Sequence, residues 1–121
     1  MSKITGAQLI AAERKRQIES EGRTARNDDE LGAGALELAA LCYRDATDGS
    51  SPQPQSWPFD AEWWKPQSRQ RNLERAGALY QAAADTAERS EDYPLRDRLR
   101  EHVASCAVLL DSIERHNAAK S

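Results

Sequence analysis

The residue types best suited to chemistry are concentrated between Glu13 and Asp29, where carboxylates, arginines and an amide recur at helical spacing. On a helical wheel at about 100° per residue, Arg14, Gln17 and Glu21 fall within or beside an apolar stripe bounded by Ile10 and Ile18, and Glu13 flanks the same face. Inward polar groups are costly unless they are paired or bound to an ion or ligand. The face therefore reads either as a buried ion-pair network or as a site. Lys15, Arg16 and Glu19 point elsewhere on the wheel and read as solvated charges. Asp28 and Asp29 also carry two readings, as N-caps of a second helix or as hard oxygen ligands for Mg²⁺ or Mn²⁺ beside an inward glutamate. Lys65, between Trp64 and Pro66, is either a rim lysine or a phosphate contact on an aromatic loop.

The elements that must position these residues are all helical. Thr5 and Gln8 have the capping-box spacing, and Ile4 and Leu9 that of a hydrophobic staple, so a first helix is expected from Thr5 to about Glu21, stopped by Gly22. Asn27, Asp28 and Asp29 are expected to cap a second helix that carries Leu31, Leu38, Leu41 and Cys42 and ends near Asp48 and Gly49. Residues 49–66 then turn to Ser, Pro, Gln and Trp, and Pro52, Pro54, Pro58 and Pro66 disfavour a continuous helix. Trp57, Phe59, Trp63 and Trp64 give that loop an apolar payload that must dock on the helices. A third helix from about Ser68 places Leu73, Ala76, Tyr80, Ala83 and Ala87 on one stripe. A fourth, residues 94–117, opens at Pro94 and does the same with Leu99, Val103, Cys106, Leu110 and Ile113. The expectation is an all-α single domain over residues 1–121, a bundle of about four helices whose last two form a hairpin.

Composition narrows the function classes. A chain of 121 residues suits one domain with a real core, and 17 basic against 20 acidic residues leave a net charge of -3, too little positive field for general nucleic-acid binding. No apolar run nears the ~20 residues of a membrane span and the start lacks a signal-peptide hydrophobic region, so a cytoplasmic location is expected. Cys42 and Cys106 read as buried thiols, and His102 and His116 lack the spaced partners of a zinc site.

Several stretches together carry a resemblance. They are Glu13-Arg-Lys-Arg-Gln17-Ile-Glu-Ser-Glu21-Gly22, Asp28-Asp29, Leu36 through Ala39-Ala40 to Tyr43, Trp57-Pro58, Trp63-Trp64-Lys65-Pro66 and Leu73-x-x-Ala76-Gly77-Ala78-Leu79. In that order, over about residues 9 to 81, they resemble the phage and bacterial MazG-like group described as dATP/dGTP diphosphohydrolases, and residues 110–115 are similar to that family's closing helix. The resemblance implies an all-α nucleotide pyrophosphohydrolase scaffold acting on (deoxy)nucleoside triphosphates with Mg²⁺ or Mn²⁺. It implies that Glu13 and Glu21 are catalytic and that Glu13, Glu21, Asp28 and Asp29 hold metal. Arg14, Gln17, Lys65 and Trp64 would then contact substrate, and the chain would work as a homodimer or tetramer.

The sequence departs from the family pattern at Leu31 and at Ala35, where members tend to have a polar residue and Glu. Glu37 does not replace a Glu at 35, because two residues along a helix turn a side chain through roughly 200°. These departures motivate an alternative: a non-catalytic, phage-encoded helical protein that binds a host partner, as an anti-CRISPR-like inhibitor of a defence complex does, or that sequesters a nucleotide.

Overall fold

The computed structural model describes residues 4–120. Among them it contains five α-helices and no strand: α1 (Gly6–Glu21), α2 (Ala25–Leu31), α3 (Ala33–Asp45), α4 (Arg69–Arg89) and α5 (Tyr93–Lys120), with a single 3₁₀ turn at Ala61–Trp63. No helix among the described residues is long and apolar enough to cross a membrane.

α1 starts where local chemistry directs it. The Thr5 hydroxyl accepts from the Gln8 amide, the Gln8 side chain accepts from the Thr5 amide, and the helix stops at Gly22 in the left-handed conformation. The staple expected of Ile4 does not fold inward, since Ile4 is exposed. Ile18 is also exposed, so the inward face of α1 is formed by Gly6, Ile10, Glu13 and Gln17.

The expected second helix is two helices. Its first turn begins at Ala25, capped by the Thr24 hydroxyl accepting from the Asn27 amide, so Asp28 and Asp29 lie inside α2 rather than capping it. Gly32, at φ 88° and ψ 148°, then breaks the chain between α2 and α3 in a region that residues with a Cβ rarely enter. The count therefore rises from the expected four to five.

α4 is the central helix. Small residues (Ala76, Ala78, Ala82, Ala83, Ala84 and Ala87) are fully buried along it, so α3, α5 and α1 approach its backbone from several sides. The stripe expected of Leu73, Ala76, Tyr80, Ala83 and Ala87 is buried throughout, and α5 returns along α4 after a three-residue link to bury Leu99, Cys106 and Leu110. Where α1 crosses α5, a Cβ at Gly6 would lie 2.2 Å from the Ala107 carbonyl oxygen, a distance only glycine permits.

The aromatic loop is pinned as its composition requires. The Trp57 indole donates to the Asp60 carbonyl at 3.1 Å and the Trp64 indole to the Ser51 carbonyl at 3.1 Å. Trp57 and Trp64 pack on Tyr43, with ring centroids 4.9 Å apart for Tyr43 and Trp64 and 5.6 Å for Tyr43 and Trp57, and Phe59 packs edge-on against Trp57 at 5.5 Å. The loop re-enters α4 through the fully buried Asn72. Its amide donates to the carbonyls of Ala46 and Gln67 and its oxygen accepts from the Gln67 amide.

Candidate functional site

Glu13 is the most constrained of the chemically loaded residues. Only 2% exposed, it accepts from Arg16 at 2.7 and 2.8 Å, from Arg71 of α4 at 3.0 Å and from the Gln17 amide nitrogen at 3.3 Å. Burial would raise its pKa, but the hydrogen bonds and positive charges of Arg16 and Arg71 outweigh that and hold it below the usual carboxylate value. Glu13 is an anion at neutral pH. Arg16, read from the wheel as a solvated charge, instead bridges Glu13 to Glu21, and its hydrogen bond to Glu13 raises its pKa further against desolvation. Glu21 also meets Arg23.

The two aspartates are held separately. Asp28 is fully buried and bonded to Arg14 at 2.7 Å, and Asp29 meets Arg89 at 2.8 Å near the surface. Each of the four carboxylates proposed to hold metal is thus already matched to arginine. Among the described residues no group of three or more His, Cys, Asp or Glu side chains converges as an ion's donor set would. In this arrangement a Mg²⁺ or Mn²⁺ ion would have to compete with an arginine for each of these carboxylates. Arg14, expected beside Lys65 at a phosphate, lies instead along a separate apolar groove with Ile10, Val103 and Ala107.

The residues that do converge form a different site. Arg16, Gln17 and Glu21 of α1, Arg23, Tyr43 of α3, Trp57, Phe59, Trp63 and Lys65 of the loop, and Arg75 and Leu79 of α4 line a pocket of about 200 Å³. It lies beside a cleft of about 390 Å³ that shares Glu21, Arg23, Phe59 and Trp63, and together they reach the size of small-molecule sites. Trp64, expected to touch substrate, is packed behind the pocket against Tyr43 and Trp57, whereas Trp63 is the partly exposed aromatic on its wall.

Two cations there have no carboxylate partner among the described residues. Arg75 lies 5.5 Å from the centre of the Tyr43 ring and donates to the Tyr43 hydroxyl at 3.3 Å, while its buried Nε has no partner. The Lys65 ammonium lies 5.7 Å from the centre of the Trp63 ring. The Tyr43 hydroxyl also accepts from the Lys65 backbone amide at 3.0 Å and donates to the Trp63 carbonyl at 3.3 Å, tying α3 to the loop wall.

No family model, curated protein or solved structure matches this chain. The functional reading therefore stands on the pocket. Arg75, Arg23 and Tyr43 were not legible as site residues, because nothing in their local spacing separates them from ordinary helix and turn residues. The other reactive side chains are accounted for by packing. Cys42 and Cys106 are buried free thiols, Cys106 being pushed up to about 11 by burial, and His102 stacks on Tyr80 at 4.8 Å.

Proposed function

We propose that this chain is a MazG-like helical domain that binds a (deoxy)nucleoside triphosphate in the pocket between α1, α4 and the aromatic loop. The observation that carries this reading is the pairing of carboxylate-free cations with aromatic faces in one pocket: Arg75 and Lys65 beside Tyr43, Trp57, Phe59 and Trp63. Guanidinium and ammonium groups recognise phosphate oxygens, and flat aromatic faces accept a base. Two cations on a nearly neutral chain favour a single small anion over a polymer backbone.

A second reading, turnover of the bound triphosphate with Mg²⁺ or Mn²⁺, is favoured by Glu21 and Arg16 lining the pocket, with Glu13 held on the same guanidinium. It requires a metal to compete with that guanidinium for the two carboxylates. Calorimetric titration with the four deoxynucleoside triphosphates, with and without Mn²⁺, together with an assay for released pyrophosphate and phosphate, separates the readings. Binding without product supports the binding domain. Product formation that needs metal and disappears in Glu21→Ala supports the hydrolase. No heat with any triphosphate removes both nucleotide readings and leaves the host-protein alternative.

A further inference from the structure

Gln17 lines the pocket and carries a buried polar atom that has no hydrogen-bond partner among the described residues. The residue is 3% exposed and lines the pocket, and its Oε1 is buried without a hydrogen-bond partner. Its other end is committed, because Nε2 donates to Glu13 Oε2. A carboxylate can only accept, so Glu13 determines which way the amide faces, and Arg16 and Arg71 hold Glu13 in place from two helices. A free glutamine adapts to its ligand by exchanging its oxygen and nitrogen. This one cannot do so without setting a carbonyl against a carboxylate. Oε1 is a fixed acceptor, and a buried acceptor rejects a ligand that offers it another acceptor.

We infer that Gln17 is a specificity-determining residue that accepts a hydrogen bond from an exocyclic amino group of the ligand's base, so that the pocket selects amino bases over their keto counterparts. The inference rests on the nucleotide reading above. Arg75 and Lys65, which line the same pocket, are donors suited to phosphate oxygens and have no use for an amino group. An amino group is the base substituent that complements a lone acceptor, and a keto oxygen at the same ring position repels it. The chemistry thus distinguishes adenine from hypoxanthine and cytosine from uracil, pairs of nearly equal shape.

The test compares dATP with dITP and dCTP with dUTP by calorimetry on the unmodified protein. Within whichever pair binds, the amino member is expected to bind at least about tenfold tighter. Gln17→Met, which keeps the length of the side chain and removes the acceptor, is expected to bring the two members within about twofold of each other while phosphate-driven binding persists. A thermal melt checks that the variant is folded. Because the unmodified protein carries the primary comparison, an unfolded variant leaves the outcome readable. Equal affinities within each pair, or tighter binding of the keto member, overturn the role of Gln17 and leave the nucleotide reading standing. Absence of binding by all four compounds overturns the nucleotide reading itself, and this inference with it.

Discussion

Replacing Arg75 by methionine separates a functional cation from a structural one. In the ligand-free protein the guanidinium gains a contact with the Tyr43 ring at 5.5 Å, about 0.5–1 kcal/mol, and a long hydrogen bond to the Tyr43 hydroxyl at 3.3 Å, about 0.5–1 kcal/mol. Against these stands the buried, unpartnered Nε, whose desolvation costs about 1–3 kcal/mol. The terms nearly cancel, so Arg75→Met is expected to change stability by less than about 1 kcal/mol, a shift in melting temperature of a few degrees. Ligand binding does not cancel in this way. A charge-assisted hydrogen bond to a phosphate contributes about 1.5–3 kcal/mol, so the dissociation constant for the best-bound triphosphate should rise roughly 10- to 150-fold. Thermal melts of the free protein and calorimetry with the triphosphate measure the two quantities independently. Unchanged affinity, or a loss of stability above about 2 kcal/mol, would refute the view that Arg75 is held for a ligand rather than for the fold.

Other perturbations probe the surroundings of the pocket. The folded-state pKa of Glu13 is depressed, so its contribution is fully present above the unfolded value of about 4.3 and is lost as pH falls through the folded value. Urea melts of the unmodified protein and Glu13→Gln should therefore show a stability gap of a few kcal/mol at pH 7 that narrows below about pH 4. A gap independent of pH would mean that the carboxylate's charge is not what Arg16 and Arg71 recognise. Gly6→Ala, with its added Cβ 2.2 Å from the Ala107 carbonyl oxygen, should cost about 1–3 kcal/mol by chemical denaturation, and a neutral effect would show that α1 and α5 separate readily. Asn72→Ala leaves the Gln67 carbonyl and amide without their side-chain partner and removes one of two donors to the Ala46 carbonyl, which keeps Arg69. It should cost about 2–3 kcal/mol and increase amide hydrogen exchange in the aromatic loop, while unchanged exchange would indicate that the tryptophans alone pin it.

Much of the helical framework was legible in the sequence because it is encoded over a turn or two. The Thr5 capping box, the stop at Gly22, the Ser68 cap of α4 and the apolar stripes of α4 and α5 depend on side chains reaching their own or neighbouring turns. Residues 49–66 were likewise readable as a docked loop, since prolines exclude a helix and tryptophans demand burial. The break between α2 and α3 was missed because Asp28 and Asp29 are good caps in isolation, whereas Thr24 won the N-terminus and Gly32 took a backbone conformation that closes the helix early.

Of the set expected to point inward from α1, Glu13 and Gln17 are buried, whereas Arg14 is only partly buried and Glu21 is exposed, and the ion-pair reading of that face holds for Glu13. Glu13 and Arg16 form the network that holds Gln17 against a pocket. What spacing along α1 could not decide was the partner of each charge. Arg16 turned back to Glu13 and Glu21, Arg14 turned away to Asp28, and Arg71 and Arg75 arrived from α4, far along the chain. Sequence periodicity assigns a side chain to a face of its own helix. Which opposite charge it meets there, and which cation is left without one, follows only from how the helices pack, because Coulomb attraction and desolvation depend on distances that tertiary structure creates.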